Sequence, residues 1–427
     1  MYKAQQLAAE AVNQVLGGRN LGLALDVIFR KSTELTPQQR AAAQDLSYGT
    51  LRFYGELQAI LALLLQKPLQ DEKLQALLLV ALYQLHHGKV ADHTVVNQAV
   101  KAAEFNKKPW ARGLVNAVLR NFLRQQKTLA QQISASETAR YSYPQWWINQ
   151  LKREYPNEWQ AILEAGNAHP PMSLRINLRK TNASEYIGQL SELELPTHQL
   201  GAEAIVLEKP VPVDRIPGFH EGMVSVQDYG AQLAAHLLDS QDGMRVLDAC
   251  CAPGGKTGHI LETADVTLTG LDSDPQRLQR VESNLQRLGL HASLLSGDAA
   301  QPETWWNGQP FERILADVPC TASGIVRRHV DIKWLRRKSD IASFVSQQSA
   351  ILQALWRLLA KDGKLLYATC SVFQEENQQQ IDRFLETHAD ARQVALPALL
   401  DNYQQQNGQL RPCADHDGFF YAVLQKV

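Results

Sequence analysis

From about residue 240 onward the chain repeats one unit: a short apolar run, a turn, then a stretch with helical periodicity. The apolar runs are residues 244–249, 266–271, 292–295, 313–316 and 364–368, and helix-like stretches at 274–288, 340–359 and 375–387 alternate with them. Parallel strands need long crossovers, which helices supply, so this rhythm predicts an α/β class with a doubly wound parallel sheet. Residues 418–424 read as a late strand with an antiparallel option. In such a sheet, ligands lie beyond the carboxyl ends of the strands, where the strand order reverses. Chemistry is therefore to be sought just after each apolar run.

The rest of the chain has a different texture. In the first 135 residues or so, apolar positions recur at helical spacing, as in Ala8, Val12, Val15 and Leu16, and Gly17-Gly18 is a stop signal. Thr36-Pro37 offers an N-cap followed by proline at the first helical position. Further periodic stretches cover 42–66, 73–85, 93–104 and 110–125. Roughly five to seven helices are expected from mean helix lengths. Residues 145–235 then read as a small α+β module, with Pro170-Pro171 as a break and strands at 172–178, 202–208 and 223–227. The expected division is an all-helical domain at 1–138, a connecting module at 139–237 and the α/β domain at 238–427.

Composition limits the partners. Of 427 residues, 45% are apolar and 20% charged, and the net charge is −1, so any polyanion must be met by local patches. The first residues lack a basic stretch followed by an apolar core, which argues against a signal peptide. The most apolar runs, 59–65 and 74–82, fall far short of the ~20 residues of a membrane span. Five cysteines, an odd number without zinc-ligand spacing, fit a reducing cytoplasm and no metal site.

The first strand runs into Asp248-Ala249-Cys250-Cys251-Ala252-Pro253-Gly254-Gly255-Lys256-Thr257. Gly254 and Gly255 let a ligand approach the backbone, and a helix N-terminus brings free N–H donors. Asp272 ends the second strand, about 20 residues past that turn, where a carboxylate suits ribose hydroxyls. Asp298 and Asp317 follow the third and fourth strands. Each alone could be a helix cap; three together favour an adenosine-bearing ligand. A P-loop would need glycine where Cys250 stands, and G-x-G-x-x-G is absent, so a phosphate-free cofactor such as S-adenosylmethionine fits better.

Cys320, in Asp317-Val318-Pro319-Cys320, and Cys370, in Ala368-Thr369-Cys370-Ser371, each follow an apolar strand end. Cys250, Cys251 and Cys413 read as small buried hydrophobes, apart from backbone contact at Cys250. Two thiols beside a nucleoside-type cradle suggest covalent catalysis on an electrophilic base. Cytosine C5 is a poor nucleophile until a thiolate adds to C6, and Asp317 could relieve the charge at N3. Spacing does not say which cysteine attacks.

These motifs, with Glu375-Glu376-Asn377, closely resemble the RNA 5-methylcytosine methyltransferases of the Nol1/Nop2/Sun family. The resemblance covers about the last 200 residues. It implies a Rossmann-like class I methyltransferase fold, with Cys370 as nucleophile, Cys320 as release group and Asp317 as a catalytic partner. It also implies S-adenosylmethionine contacts from Cys250, Cys251, Ala252, Pro253, Gly254, Gly255, Lys256, Asp272, Asp298 and Asp317. Cys251 and Val318 stand where the family usually has alanine. The helical part looks like the NusB-like extension of bacterial members that modify small-subunit ribosomal RNA, which implies ribosomal RNA as the partner. Transfer RNA as the substrate, and a non-catalytic RNA-binding assembly factor, are the alternatives.

Two basic stretches are candidates for RNA contact. Residues 327–338 hold six basic residues against one acid, with Trp334 able either to stack a base or to anchor the loop. Lys101, Lys107, Lys108, Arg112, Arg120 and Arg124 cluster near Trp110. His329 reads as a surface residue, and Trp146-Trp147 and Trp305-Trp306 as packing anchors.

Overall fold

A computed structural model describes residues 2–32, 34–105, 110–397 and 407–427. The chain forms two compact units, Met1–Ala168 with Val326–Lys338, and His169–Ile325 with Ser339–Val427. No described helix is long and apolar enough to cross a membrane.

The first unit is helical: α1 (Tyr2–Leu16), α2 (Leu21–Lys31), α3 (Pro37–Arg52), α4 (Tyr54–Leu64), α5 (Glu72–His87), α6 (Asp92–Phe105), α7 (Ala111–Ile133), α8 (Glu137–Tyr141), α9 (Gln145–Glu154) and α10 (Trp159–Asn167). The Thr36 hydroxyl caps α3 in a capping box with Gln39, and Pro37 takes the first turn, as its sequence predicts. α5 is apolar nearly all round and lies at the centre, with Leu77 to Leu82 fully buried. Lys107 and Lys108 lie outside the described residues. Lys101, Trp110, Arg112, Arg120 and Arg124 are exposed.

The second unit begins with a four-stranded antiparallel sheet: β1 (Met172–Ile176), β2 (Thr197–Gln199), β3 (Ala204–Leu207) and β4 (Val224–Val226), in the order β2-β3-β1-β4. Helix α11 (Ala183–Glu192) covers it through Tyr186 and Leu190. After α12 (Tyr229–Leu238) comes the large sheet. Its parallel strands are β5 (Arg245–Asp248), β6 (Thr267–Asp272), β7 (Ser293–Ser296), β8 (Phe311–Asp317) and β9 (Leu359–Thr369). Helices α13 (Gly255–Thr263) and α14 (Pro275–Leu288) provide the first crossovers. α14 starts and stops on local chemistry: Asp274 caps it, Pro275 opens it and Gly289 closes it in the left-handed region.

Helix α15 (Ile332–Leu335) belongs to the helical unit. The chain then returns through α16 (Lys338–Leu358) and α17 (Gln378–Thr387) to β10 (Ala391–Val394), β11 (Gln409–Leu410) and β12 (Phe419–Lys426). The order is β10-β12-β9-β8-β5-β6-β7, with β11 on β12. β12 runs antiparallel to β9, which settles the sense of the late strand. Strand residues alternate between two cores: Val246, Leu315, Leu366 and Tyr421 on one face, Leu247, Ile314, Leu365 and Phe420 on the other. The partly buried Trp305 and Trp306 pack on the second core, as anchors.

The basic stretch 327–338 is not an open phosphate stripe. Lys333 is fully buried, with Nζ donating to the Arg52 carbonyl and to Asn167 Oδ1, each at 2.7 Å. Arg327 is 1% exposed, and its carbonyl accepts from Arg52 Nη2 at 3.0 Å. Trp334 Nε1 donates to the Leu51 carbonyl at 2.7 Å, so its ring anchors the segment against Tyr54. The Arg52 carbonyl and Asn167 take the Lys333 donors, and burial withdraws Arg327 from solvent, so a charge count overstates what this stretch offers to phosphates. His329, Arg337 and Lys338 remain exposed.

Candidate active site

The strand order reverses between β8 and β5, and the carboxyl ends of both strands carry the expected residues. Beyond β5 the chain turns through a cis Ala252-Pro253 bond and Gly254, whose φ of +96° only glycine adopts readily. A Cβ on Gly254 would also sit 3.1 Å from the Val281 backbone. The turn is tied to β6: Cys251 N–H donates to the Leu271 carbonyl at 2.9 Å, and Ala252 N–H to Asp272 Oδ2 at 3.1 Å. Arg277 closes it from α14 through the Ala252 carbonyl at 2.7 Å. Asp272 is thus buried in the turn, its Oδ1 accepting from Asp274 N–H at 3.0 Å. Asp298 is exposed and shapes the bend after β7 through Ala300 N–H at 2.9 Å.

Two groups missed from sequence hold this turn. Arg175 of β1 is a cation inside an apolar strand, which was the only clue to it. It forms a buried bidentate pair with Glu262 of α13 at 2.9 and 2.8 Å. Its Nη1 donates to the Gly255 carbonyl at 2.9 Å and also to Gln227. Asp248 closes β5; Oδ2 accepts from Thr257 Oγ1 at 2.7 Å, and Oδ1 is buried without a partner. Burial, then the nearby Asp317 charge, pushes the Asp248 carboxyl up to about 7.

Lys256, Asp317 and the two cysteines stand together. Lys256 Nζ meets Asp317 Oδ2 at 2.6 Å. Burial works against the Lys256 ammonium, but Asp317 outweighs it and the group is raised. β8 and β9 end in register, Asp317 opposite Ala368, and Val318 N–H donates to the Ala368 carbonyl at 3.1 Å. Cys320 and Cys370 follow those ends, and their sulfurs lie 3.4 Å apart. Cys320 is buried and Cys370 half-buried. The hydrogen bond to Cys370, followed by burial, holds the Cys320 thiol well above the ordinary cysteine range. The two sulfurs are thus within hydrogen-bond distance of each other. Gly324 N–H donates to the Cys370 carbonyl at 2.8 Å, and a Cβ on Gly324 would lie 2.2 Å from the Gly418 carbonyl oxygen.

Behind the thiols lies Glu376, which the sequence offered only within the Glu375-Glu376-Asn377 motif, with no role of its own. It is fully buried, and four donors converge on it. Cys250 stands at the start of the turn after β5. Burial, then the Asp317, Asp248 and Asp272 charges, pushes its thiol well up. These three carboxylates, with one buried oxygen of Asp248 left over, face the ammonium of Lys256, and Arg277 Nη1 lies 3.4 Å from Asp272 Oδ1. Such a donor set suits a cationic ligand with ribose hydroxyls, and the residues present fit S-adenosylmethionine.

Fold and site together define a class I methyltransferase with a paired-thiol centre. The chain belongs to the 16S rRNA methyltransferase RsmB/F family, whose model matches residues 235–425; a ferredoxin-like domain model of the same family matches 143–214 and a NusB family model 2–124. The ribosomal RNA small subunit methyltransferase B of Vibrio cholerae is 43% identical over 98% of this chain and 96% of its own length. That of Pseudomonas syringae is also 43% identical, over 98% of this chain and 96% of its own. The solved protein PH0851 matches with a TM-score of 0.81 at 24% identity, over 100% of this chain and 99% of its own, a likeness of fold.

Proposed function

We propose that this chain transfers a methyl group from S-adenosylmethionine to C5 of a cytosine in small-subunit ribosomal RNA, through a covalent bond between Cys370 and C6. The observation that carries this reading is the 3.4 Å Cys320–Cys370 pair, beside the Lys256–Asp317 ion pair. The relatives' names point to the RNA, and the NusB-like and ferredoxin-like parts are shared with them across nearly the whole chain.

The turn 250–256 with Asp272 and Asp317 holds the cofactor, and Asp298 closes the far side of the same edge. S-adenosylmethionine supplies an electrophilic methyl group there. Cys370 attacks as thiolate, with the Lys256 ammonium within electrostatic reach of its sulfur. Its sulfur adds to C6, and the displaced electrons pass toward N3. The Lys256 ammonium, 2.6 Å from Asp317 Oδ2, passes a proton to that carboxylate, whose O–H then donates to N3 and relieves the charge. After methylation the C5 proton leaves to a base, C5=C6 reforms and the Cys370–C6 bond breaks. Cys320 stands closest to the sulfur being expelled and serves this release step. The base must be unpaired or turned out of its stack to enter. None of the five cysteines is joined in a disulfide among the described residues, which suits a place in the cytoplasm, where thiols stay reduced.

The test is methyl transfer from labelled S-adenosylmethionine to a small-subunit RNA transcript, followed by nucleoside analysis. 5-Methylcytidine is expected. A methyl group on an exocyclic amine or on ribose would overturn the proposal.

A further inference from the structure

The two thiols are set by a carboxylate that touches neither. Glu376 Oε1 accepts from Thr321 N–H at 2.8 Å and from Gln348 Nε2 at 3.0 Å. Oε2 accepts from Thr321 Oγ1 at 2.5 Å and from Ser371 Oγ at 2.6 Å. Thr321 follows Cys320 directly, and Ser371 follows Cys370 directly. Gln348, itself buried, also donates to the Pro319 carbonyl at 3.0 Å, the residue before Cys320. Tyr367 OH of β9 fixes the Glu376 carbonyl at 2.8 Å. One side chain thus grips both cysteine loops from behind, with every contact inside one compact unit.

A buried carboxylate is tolerated only where donors surround it, and an acceptor-only group that accepts four bonds fixes its donors in return. The two loops also meet directly, through Gly324 N–H to the Cys370 carbonyl at 2.8 Å and Ser323 Oγ to Ser371 Oγ at 2.9 Å, and Glu376 adds a clamp on the residues that directly follow the thiols. We propose that Glu376 is the positioning residue that sets the spacing of the Cys320–Cys370 pair, by binding Thr321 and Ser371 to a single carboxylate. This deepens the proposed reaction and rests on it for its catalytic consequence. The geometric claim stands apart from the reaction. Glu376 does not reach the base or the cofactor, so it acts only through the loops.

Glu376→Gln places a donor NH₂ where donors already converge, which pushes Thr321 or Ser371 away from its place beside the thiols. Thr321→Val removes the hydroxyl that meets Glu376 Oε2 and Ser371 Oγ, keeps the backbone N–H bond to Glu376 and keeps the side-chain shape. Two measurements are made on the full chain. Phenylarsine oxide binds two close thiols as As(SR)₂ with loss of water; its affinity for this pair is the part lost in Cys320→Ala. The second is kcat and KM for methyl transfer, with the folded fraction measured by circular dichroism. Glu376→Gln is expected to lower arsenical affinity at the pair at least tenfold. It should also lower kcat on the order of a hundredfold, as for a misplacement of about 1 Å, with cofactor affinity unchanged. Thr321→Val should show the same pattern to a smaller degree, and it decides the matter if Glu376→Gln does not fold. Wild-type arsenical affinity in both variants, or a rate loss matching only the unfolded fraction, overturns the proposal. A wild-type chain that makes no 5-methylcytidine but shows the arsenical loss in Glu376→Gln would sink the reaction and leave the positioning role intact.

Discussion

At the level of single residues, the chemistry depends on where a few protons sit. The Cys320 thiol is pushed up by its hydrogen bond to Cys370 and by burial, which favours its protonated form. Asp248 is pushed up to about 7 by burial and by Asp317. Raised above the ordinary carboxylate range, it carries a proton in the folded protein below that pH. A cationic cofactor favours its ionised form. Cofactor binding at pH 6 should therefore release close to one proton, and affinity should rise with pH until about 7.5 and then level off. Calorimetry in buffers of different ionisation enthalpy reads this directly. Asp248→Asn should abolish the release, and equal proton release from that variant would assign it elsewhere.

Among elements, the small sheet acts as a brace on the cofactor helix. Arg175 of β1 and Glu262 of α13 are both buried, with side chains 1% and 4% exposed. Glu203, beside β3, accepts from His236 of α12 and His259 of α13 at 2.6 and 2.7 Å. Removing one partner of a buried pair leaves the other charge unmatched, so Arg175→Ala should cost about 3–5 kcal/mol. Cofactor affinity should fall too, since the Gly255 carbonyl loses its donor. Chemical unfolding and a cofactor titration measure these separately; a variant of wild-type stability would remove the brace from the account. The helices and parallel strands were legible because their periods of 3.6 and near-continuous apolarity are strong. β2, β10 and β11 went unread, being two to four residues long and mostly polar. Arg175 and Glu376 were illegible because the partners that make a buried charge tolerable come from distant positions, such as 262, 321 and 348.

For the whole molecule, the path of the chain matters more than any boundary. The α/β unit sends out Val326–Lys338, which packs in the helical unit: Val330 is fully buried there, and Trp334 and Leu335 pack on the same core. The basic count in this stretch suggested a phosphate contact because sequence shows charge without showing burial. A chain lacking residues 1–168 would leave that apolar segment uncovered, so it should be poorly soluble and cleaved first by protease at 326–338. A soluble, protease-resistant truncation would show that the excursion carries its own structure. The cofactor turn, Asp272, Asp317 and the two cysteines were legible as a set, since each follows a strand end at one edge of one sheet. Their spacing was not, because it comes from the register of β8 on β9 and from Glu376 behind them.

The most direct measurement follows the covalent bond itself. Wild type, Cys320→Ala, Cys370→Ala and the double variant are each incubated with small-subunit RNA and S-adenosylmethionine, then run on a denaturing gel. The account predicts an RNA-shifted protein band that accumulates in Cys320→Ala alone and is absent from both variants lacking Cys370, which should still bind the cofactor. A persistent band in Cys370→Ala, or normal methyl transfer by it, would contradict the assignment of the attacking sulfur.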